Sequence, residues 1–539
     1  MAIFKYFITQ NKSMVRIEDR TRMNPWWVLG EKFADSDKDL AKLNSGVFRF
    51  QRRSIDFKPG GIYIIKGPRR VGKTLLLKML ILNLLKKGAD RLSIFYYSLD
   101  SIKSAKELSN MLYDFFDNLG LGTRYIMLDE VQNVEGWENV VQALANEGML
   151  KNTVTVVTGS LAHVLRQELM PGRGTEGNTY IMRTLTFGDF CSNLISVFAK
   201  INYGSNKFDI KEEIGHLQGF LKPETRWLIA ALGDDIDTYA DGLMRALGKR
   251  ISLEESTDEI YASVNALVPY AVVLKKLFSV YMRTGGYPIS INSYFQELPG
   301  KPAFSIAQQV YEELYLYAKN DASTMAGTGR AGDPSFAEGV LQGALSGIGK
   351  SISYTKLSRQ ASMNTKTFIE YSRRLRESYV FLTLNGLDKK LEPLRLQKSY
   401  FCDLMLHYSV GSYRTGEEPN RYAESILNSD SVGIAIEEIV ASHLSQTKED
   451  DPMRRYDTYL YFLKGEKELD FIYRRDDGSY LGIEIKYQNS VSEKNDLYRI
   501  KGIDHYLIVS KDTLERGEHS ITVPVYLLLA ALGKSSKDL

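Results

Sequence analysis

The residues with the clearest chemical potential are the eight of GPRRVGKT, at positions 67–74. Their spacing, Gly-x-x-x-x-Gly-Lys-Thr, is typical of a loop whose backbone N–H groups wrap the phosphates of a nucleotide. In such a loop Lys73 contacts the β- and γ-phosphate oxygens, and the hydroxyl of Thr74 is a ligand of Mg²⁺. The run GIYIIKG (61–67) predicts a strand before the loop, and KTLLLKMLILNLLKKG (73–88) predicts a helix after it. A chance match in an ordinary turn would lack both elements, so the sequence predicts a site for ATP and Mg²⁺ formed by Gly67, Pro68, Arg69, Arg70, Val71, Gly72, Lys73 and Thr74.

Two adjacent acids follow a second apolar run, RYIMLDE (124–130). Asp129 would hold Mg²⁺ through water, and Glu130 would orient and deprotonate the water that attacks the γ-phosphate. Two acids at the end of a strand can also be a simple cap. The phosphate loop upstream favours the catalytic interpretation.

A third run, TVTVVTGSL (153–161), ends near Thr158 and Ser160, whose hydroxyls could hydrogen-bond the γ-phosphate or the attacking water. Strands that alternate with helices imply a parallel sheet, and the ends of parallel strands meet at one edge. We therefore expect all these polar groups to lie together at the carboxyl edge of a single sheet.

An arginine in a glycine-rich loop soon after this strand is a candidate for a role between subunits. Arg173 lies in MPGRGTEGNTYIMRTLTFGDF (170–190), and Arg166 and Arg183 are competitors. A mobile arginine here could complete the site of a neighbouring copy and raise the rate by roughly three to five orders of magnitude. Such a role implies a homo-oligomer, whereas ordinary loop chemistry would need none.

The bulk composition is that of a globular protein with several domains. The chain has 539 residues, of which 44% are hydrophobic and 25% are charged, with a net charge of +3. This charge is too small to prove a nucleic-acid partner without local patches. Cys191 and Cys402 form no disulfide framework, the N-terminus does not have the pattern of a signal peptide, and the most apolar run (75–85) is too short to span a membrane. We expect a cytoplasmic protein that has no membrane partner.

The order of motifs resembles archaeal and bacterial AAA-type ATPases that end in a restriction-endonuclease-like domain. The resemblance covers nearly the whole chain and implies ATP binding, probable hydrolysis and an intracellular location. It also implies a sensor role for Thr158 and Ser160 near the end of the 153–161 run. The motifs that carry it are NPWW (24–27), GPRRVGKT (67–74), LDEVQNVEGW (128–137), TGS (158–160), PGR (171–173), TFGDF (186–190), RTGGYP (283–288), KSYFCD (398–403) and GIAIEEIV (433–440).

The predicted fold class is α/β, with a P-loop parallel sheet of the AAA type, a helical lid, a winged-helix-like domain and a C-terminal α/β nuclease-like domain. The predicted divisions are an N-terminal segment at 1–45, an ATPase core at 46–190, a helical lid or insertion at 191–320, a winged-helix-like domain at 336–397 and a nuclease-like domain at 398–539.

Residues 353–386 read as helix, turn, helix and strand, which is typical of a winged helix. Between Lys350 and Arg376 there are seven Lys or Arg residues against one Glu. DNA is therefore a candidate partner, with phosphate contacts from Lys366, Arg373, Arg374 and Arg376. The alternative is that these charges only solvate a helix, since many winged helices are structural.

Two strands around RDDG (475–478) are predicted from LDFIYRRDDGSYLGIEIKY (469–487). The nuclease resemblance implies that Asp470 and Glu484 ligate a metal ion, that Lys486 positions or activates a water, and that Glu437 supplies a further acid. A fold that has lost catalysis, or an unrelated hairpin with ordinary surface charges, would show the same residue types.

These patterns support two functions of different classes. The first is a DNA-associated ATPase whose nucleotide state is coupled to the winged helix and the nuclease-like domain. The alternative is a nucleotide-dependent switch or interaction protein whose nuclease-like domain is catalytically inactive.

Overall fold

The computed structural model divides the chain into two compact units. The first contains the described residues of 1–45 and 52–182, and the second contains those of 46–51, 183–325 and 329–539. Arg173 and Arg166 lie outside the described residues. The structure describes residues 21–45, 48, 50, 55–102, 104–117, 122–160, 178–203, 236–296, 301–302, 304–323, 334–448, 455–489, 491 and 497–533.

The first unit is an α/β fold with a five-stranded parallel sheet, as predicted. Its strands are β1 (Ile62–Lys66), β2 (Ile94–Ser98), β3 (Arg124–Asp129), β4 (Thr153–Gly159) and β5 (Thr179–Ile181). They run in the order β2-β3-β4-β1-β5, and all neighbours are parallel. Strands β1 and β4 are buried along their whole length, which is why their sequences are apolar runs without alternation.

Helices cover both faces of this sheet. They are α1 (Trp26–Leu29), α2 (Phe33–Ser36), α3 (Lys38–Ser45), α4 (Lys73–Lys86), α5 (Ala105–Asp117) and α6 (Trp137–Asn146). One apolar core joins α4 and the N-terminal helices to one face of the sheet, and a second core joins α5 and α6 to the other. The segment predicted as a separate N-terminal piece therefore packs as part of the first unit.

The first compact unit ends at Met182, eight residues before the predicted ATPase boundary at 190. Helix α7 (Phe187–Tyr203), which contains the last four residues of TFGDF, belongs to the second unit. The phenylalanine side chains of this motif are buried against helix partners in that unit, which fixes the motif there: Phe187 contacts Phe278 and Tyr281.

The second unit begins with helices and continues into a second sheet. Its helices before the sheet are α7, α8 (Ile236–Gly248), α9 (Thr257–Asn265), α10 (Ala271–Thr284), α11 (Pro288–Phe295), α12 (Gln308–Ser323), α13 (Pro334–Gly347), α14 (Tyr354–Gln360) and α15 (Thr365–Glu377). The stretch predicted as a lid thus packs with the C-terminal part of the chain. For example, the Arg250 guanidinium donates to the carbonyl oxygens of Ala530 and Leu532.

Eight strands form the sheet of the second unit, in the order β12-β13-β11-β10-β9-β8-β6-β7. The elements are β6 (Phe381–Leu387), β7 (Pro393–Phe401), α16 (Leu404–Thr415), α17 (Pro419–Leu427), α18 (Val432–Leu444), β8 (Leu460–Lys464), β9 (Glu468–Arg474), β10 (Tyr480–Lys486), β11 (His505–Ser510), β12 (Glu515–Arg516), β13 (Ser520–Pro524) and α19 (Val525–Ala531). The predicted boundary between 397 and 398 falls inside β7. The hairpin β6–β7, which follows the helix-turn-helix, therefore shares one mixed sheet with the C-terminal strands.

The hairpin β9–β10 is present, and its turn is anchored within the second unit. The Arg475 guanidinium donates to the carbonyl oxygens of Leu253 (2.8 Å) and Glu255 (2.9 Å). The N–H of Asp476 donates to a carboxylate oxygen of Glu254 at 2.8 Å. These bonds give the charged turn a structural partner, which an ordinary solvent-exposed hairpin would lack.

Glycines of RTGGYP allow three motifs to meet in the second unit. A Cβ on Gly286 would lie 2.2 Å from the carbonyl oxygen of Leu185, and one on Gly285 would lie 2.0 Å from Oδ1 of Asp403. The Asp403 carboxylate accepts from the N–H groups of Gly286 (2.8 Å) and Met405 (2.9 Å), so it ties KSYFCD to RTGGYP and caps helix α16. This close packing explains why the turn contains two adjacent glycines.

Among the described residues, no single helix is long and apolar enough to cross a bilayer. One bent pair, Thr257–Asn265 with Val268–Thr284, passes the test of length and composition when its two parts are combined. Much of the second part is buried within the protein.

The glycine pair gives a direct test of this packing. Gly286→Ala should destabilise the second unit by about 1–3 kcal/mol, because the added methyl group would overlap the Leu185 carbonyl. Calorimetric unfolding of the full chain would measure the change. Gly433→Ala in α18 is the matched control, since its Cβ would meet nothing within 4 Å and alanine favours a helix. Equal unfolding temperatures for both variants would contradict the close approach.

Candidate functional site

At two positions the backbone of the phosphate loop favours glycine over any larger residue. A Cβ on Gly67 would lie 2.0 Å from the carbonyl oxygen of Met182, so a side chain there would displace strand β5. Gly72 has a left-handed backbone (φ 101°) just before α4 begins. Lys73 is buried, and its ammonium donates to the carbonyl oxygens of Gly67 and Pro68, both at 2.9 Å. The predicted loop thus leads directly into the helix start that a bound phosphate would face.

The register of the parallel strands brings the predicted polar residues to the same sheet edge. Asp129 ends β3, and it is 2% exposed. Its Oδ2 accepts from the hydroxyls of Thr74 (2.6 Å) and Tyr96 (3.1 Å), and its Oδ1 accepts from the hydroxyl of Thr158. Burial, reinforced by the charge of Glu130, raises the pKa of Asp129 above its usual value.

Glu130 is held by a second set of contacts at this edge. Its backbone is left-handed (φ 53°), an uncommon conformation for a residue with a side chain, and strain of this kind concentrates at functional sites. One carboxylate oxygen accepts from the side-chain amide of Gln132, and the other lies 4.0 Å from the ammonium of Lys73. The Gln132 amide also donates to the Ser160 hydroxyl at 3.2 Å, and the Ser160 N–H donates to Gln132 Oε1 at 3.3 Å. Gln132 therefore joins the predicted base to the end of β4.

The donor set suits a magnesium ion in this unit. Asp129 supplies a buried carboxylate and Thr74 a hydroxyl, and these hard oxygen ligands lie next to a phosphate loop. Burial disfavours the negative charge of Asp129 and so raises its pKa, and a nearby cation would offset this cost.

Sequence reasoning missed Tyr96 and Gln132. Tyr96 comes from the middle of β2, where an aromatic residue reads as core packing, and its reach to Asp129 follows from the pairing of β2 with β3. Burial, together with Asp129, raises the pKa of the Tyr96 phenol, so its hydroxyl keeps the proton that it donates. Gln132 stands in LDEVQN two residues beyond Glu130, and a polar side chain in that turn was the available signal.

One of the three arginine candidates lies within the described residues. Arg183 belongs to the second unit, and its guanidinium stacks over the ring of Tyr379 at 4.6 Å from the ring centroid. This cation–π contact gives Arg183 a structural role.

The acids predicted for the C-terminal domain converge on a lysine. Lys398 on β7 is 1% exposed, and its ammonium lies 2.6 Å from Glu468 Oε1, 3.0 Å from Glu437 Oε1 and 3.6 Å from Asp470 Oδ1. Burial opposes the charge of Lys398, but the three carboxylates outweigh it and raise the pKa of this ammonium above its usual value. We call Lys398, Glu437, Glu468 and Asp470 the lysine-centred acid cluster.

Glu484 and Lys486 lie beside this cluster and pair with each other. The Lys486 ammonium is 2.6 Å from Glu484 Oε1, and Asp470 Oδ2 accepts from the N–H of Ile485 at 2.9 Å. Burial, then the charge of Asp470, raises the pKa of Glu484 to about 7. Burial also raises the pKa of Glu437 to about 7, against the influence of Lys398.

In this arrangement an ammonium already supplies positive charge to the acids. Within the part of the chain that the structure describes, no group of three or more His, Cys, Asp or Glu side chains is arranged to hold a metal ion. Glu437, Asp470 and Glu484 are brought near one another, as predicted for a metal site. The position between the first two is filled by the Lys398 ammonium, which sequence reasoning did not anticipate because β7 precedes the motif by a long stretch.

The helix-turn-helix has a mixed set of basic residues. Helix α15 begins at an Asn364 cap, whose side chain accepts from the N–H of Thr367 at 2.9 Å. Lys366 and Arg373 on this helix are exposed. Arg374 is buried and pairs with Glu370 at 2.6 Å, which differs from the predicted phosphate contact.

Arg376 is also inward, beside Tyr456, Tyr354 and Asp457. These three neighbours favour the positive charge of Arg376. The side chain therefore stabilises the fold, and its position does not match the predicted phosphate contact. The inner face of this helix is formed by Phe368, Tyr371 and Leu375, which are all buried.

A parallel sheet with a phosphate loop after its first strand and paired acids after its third defines the P-loop class of nucleotide-binding proteins. Residues 60–191 match the family model described as an AAA domain. This stretch of the chain is therefore similar to AAA domains.

The chain is also similar to an uncharacterised protein of Haemophilus influenzae, at 32% identity over 137 residues. The match covers 24% of this chain and 32% of that relative, so it spans about a third of the relative's length.

Solved structures with a similar arrangement include the Holliday junction branch migration motor RuvB of Thermotoga maritima, at 12% identity with a TM-score of 0.23, covering 66% of this chain and 88% of that chain. Another is Orc1 of Aeropyrum pernix in complex with DNA, at 12% identity with a TM-score of 0.26, covering 72% and 96%. Scores this low carry no inference about what this chain binds.

Proposed function

We propose that this protein binds ATP with Mg²⁺ and hydrolyses it, and that the nucleotide state of the first unit is coupled to DNA contacts made by the second. The observation that carries the ATPase proposal is the convergence of Lys73, Thr74, Asp129 and Glu130 at one sheet edge. The four side chains come from two separate stretches of sequence, and their positions match the chemistry that phosphoryl transfer needs.

Each residue has a distinct proposed role. The backbone N–H groups of the loop bind the phosphates, and Lys73 leaves its carbonyl partners to bind the β- and γ-phosphate oxygens. Thr74 and Asp129 hold Mg²⁺, which when bound neutralises the charge that develops on the phosphates. Glu130 orients the attacking water and takes its proton, while Gln132 and Ser160 keep its carboxylate in place.

Substitution of Glu130 should separate binding from hydrolysis. Glu130→Gln should retain ATP binding and lower the hydrolysis rate by about 100-fold or more, because the amide cannot accept a proton. Lys73→Ala should lose binding itself, which a fluorescent ATP analogue would report. Glu135→Gln is the matched control, since this exposed glutamate lies in the same turn region. Hydrolysis by Glu130→Gln at the rate of the control would contradict the role of Glu130.

The DNA proposal depends on the exposed face of α15. We propose that the helix-turn-helix and hairpin β6–β7 form a winged helix that contacts DNA through Lys366 and Arg373. Further exposed basic side chains on neighbouring elements extend the same kind of surface: Lys356, Arg359, Lys390 and Arg395. Contacts of this type neutralise phosphates and are sensitive to salt.

Removing two of these charges should weaken DNA binding in a way that salt dependence identifies. Lys366→Ala with Arg373→Ala should reduce the slope of log affinity against log salt by about 2, as expected for two lost phosphate contacts. Lys249→Ala with Arg421→Ala removes the same charge from exposed positions elsewhere in the second unit and should leave the slope unchanged. Equal slopes for both pairs would exclude this face as the DNA contact.

The arginine finger stays a proposal for Arg173 or Arg166. It requires a homo-oligomer, so the size of the protein in solution should increase with ATP if one of these residues completes a neighbouring site.

The lysine-centred acid cluster favours a second candidate function: a nucleotide-dependent switch whose nuclease-like domain does not cut. A metal-dependent nuclease needs carboxylates directed at an ion, whereas here Lys398 already supplies the positive charge. The Tyr400 hydroxyl also donates to Glu437 Oε1, at 2.5 Å, which further satisfies that carboxylate.

Manganese binding without nucleotide would test whether the nuclease-like domain is catalytically inactive. Under the switch proposal, wild type shows no Mn²⁺ bound at this cluster by electron paramagnetic resonance and no metal-dependent DNA cleavage. Lys398→Met should gain an Mn²⁺ site, because it leaves the carboxylates uncompensated, whereas Lys398→Arg should not. If Lys398→Met does not fold, the wild-type measurements still decide. Wild-type cleavage that disappears in Asp470→Ala and Lys486→Ala would exclude the inactive domain.

A further inference from the structure

We propose that Tyr96 positions the Mg²⁺ ligand Asp129, and that Asn24 in the N-terminal NPWW motif fixes the position of Tyr96. The inference rests on the proposed ATP site and extends it to residues outside the loop and the acids. Its basis is a continuous set of buried hydrogen bonds from the N-terminal segment to the carboxylate, all within the first unit.

The first contact joins two neighbouring strands. Tyr96 on β2 pairs with Met127 on β3, and Asp129 lies two residues further along β3, so its side chain points to the same face as that of Met127. The Tyr96 ring follows this face to the carboxyl edge, where its hydroxyl lies 3.1 Å from Asp129 Oδ2. The ring is packed in the same core as Leu77 and Ile81 of helix α4, which leaves it little freedom to move.

The three hydroxyl groups that donate to Asp129 would have different roles when an ion is bound. Thr74 is itself a proposed ligand of the ion, so its hydroxyl serves both the ion and the carboxylate. The two donors that hold the carboxylate without contacting the ion are Thr158 on Oδ1 and Tyr96 on Oδ2. Tyr96 therefore fixes the rotation of the Asp129 carboxylate from the side of β2.

The second contact fixes the backbone of Tyr96. In the sheet that the described residues form, β2 is an edge strand, and its outer N–H and C=O groups need partners. The Asn24 side chain supplies both, since its amide N–H₂ donates to Tyr96 O at 3.0 Å and its Oδ1 accepts from Tyr96 N at 2.7 Å. A carboxamide is the side chain that offers a donor and an acceptor side by side.

The tryptophans of NPWW strengthen this attachment at a different residue. The indole N–H groups of Trp26 and Trp27 both donate to the carbonyl oxygen of Ile94, at 3.1 Å and 2.8 Å. These two hydrogen bonds stabilise the same strand at Ile94 and do not involve Tyr96. A substitution at a tryptophan and one at Asn24 can therefore separate general support of the edge strand from the positioning of Asp129.

The test measures metal dependence of nucleotide binding in the full chain. Tyr96→Phe keeps the ring and removes the hydroxyl, so the Mg²⁺ concentration that half-saturates binding of a fluorescent ATP analogue should rise by roughly three- to tenfold. Binding of the analogue in EDTA should stay unchanged. The Mn²⁺–ATP complex should also show an altered electron paramagnetic resonance spectrum, which a simple loss of stability would not produce.

A double-mutant cycle tests whether Asn24 acts through Tyr96. Asn24→Ala should raise the same Mg²⁺ midpoint, and Asn24→Ala added to Tyr96→Phe should raise it no further, because the hydroxyl that Asn24 positions is already absent. Trp27→Phe is the matched control, since it removes one hydrogen bond to β2 at Ile94 and should leave the midpoint at its wild-type value.

Each result has a definite meaning. An unchanged Mg²⁺ midpoint in Tyr96→Phe overturns the role of Tyr96, and effects of Asn24→Ala and Tyr96→Phe that multiply overturn the link between them. Failure of wild type to bind the ATP analogue at any Mg²⁺ concentration would instead overturn the proposed ATP site, and this inference with it.

Discussion

The buried carboxylate of Asp129 is the constraint on which the first unit depends. A charged group that is 2% exposed is costly unless donors surround it, and here hydroxyls from three separate elements do so. Those elements are helix α4 and strands β2 and β4. Their convergence at β3 requires a parallel sheet whose carboxyl ends share one edge. The same requirement places the phosphate loop beside the acids.

The second unit solves a similar electrostatic problem by a different chemical route. Its acids also lie largely out of water, but an ammonium stands among them in addition to the Tyr400 hydroxyl. Hydroxyl donors leave the net charge of a carboxylate in place and so leave a site attractive to a cation. An ammonium cancels part of that charge. In the second unit, part of the positive charge that a metal ion would bring to the acids is therefore already supplied by Lys398.

Motifs that are distant in sequence also serve the fold of the second unit. His443 of α18 accepts from the N–H of Phe187 at 2.8 Å, and its Nδ1–H donates to the carbonyl oxygen of Ile439 at 2.8 Å. Burial lowers the pKa of His443 to about 4, so the ring stays neutral and keeps both bonds at neutral pH. Together with Asp403 and the glycine pair, this contact joins three of the motifs that carry the family resemblance, TFGDF, RTGGYP and KSYFCD, and the helix that contains a fourth, GIAIEEIV. Their shared role is to unite the helices after the AAA domain with the C-terminal sheet.

The sequence by itself determined the elements of the nucleotide site, because a phosphate loop needs a particular spacing of Gly, Lys and Thr and because buried parallel strands are recognisable as apolar runs. It also predicted the hairpin around residues 475–478 and the helix-turn-helix. It did not predict Tyr96, Gln132 or Lys398 as site residues, since each is an unremarkable residue type within its own strand or turn. Only the tertiary structure decided their partners. Strand order sets which side chains face one another, and it also sets whether a buried acid is met by a hydroxyl or by an ammonium.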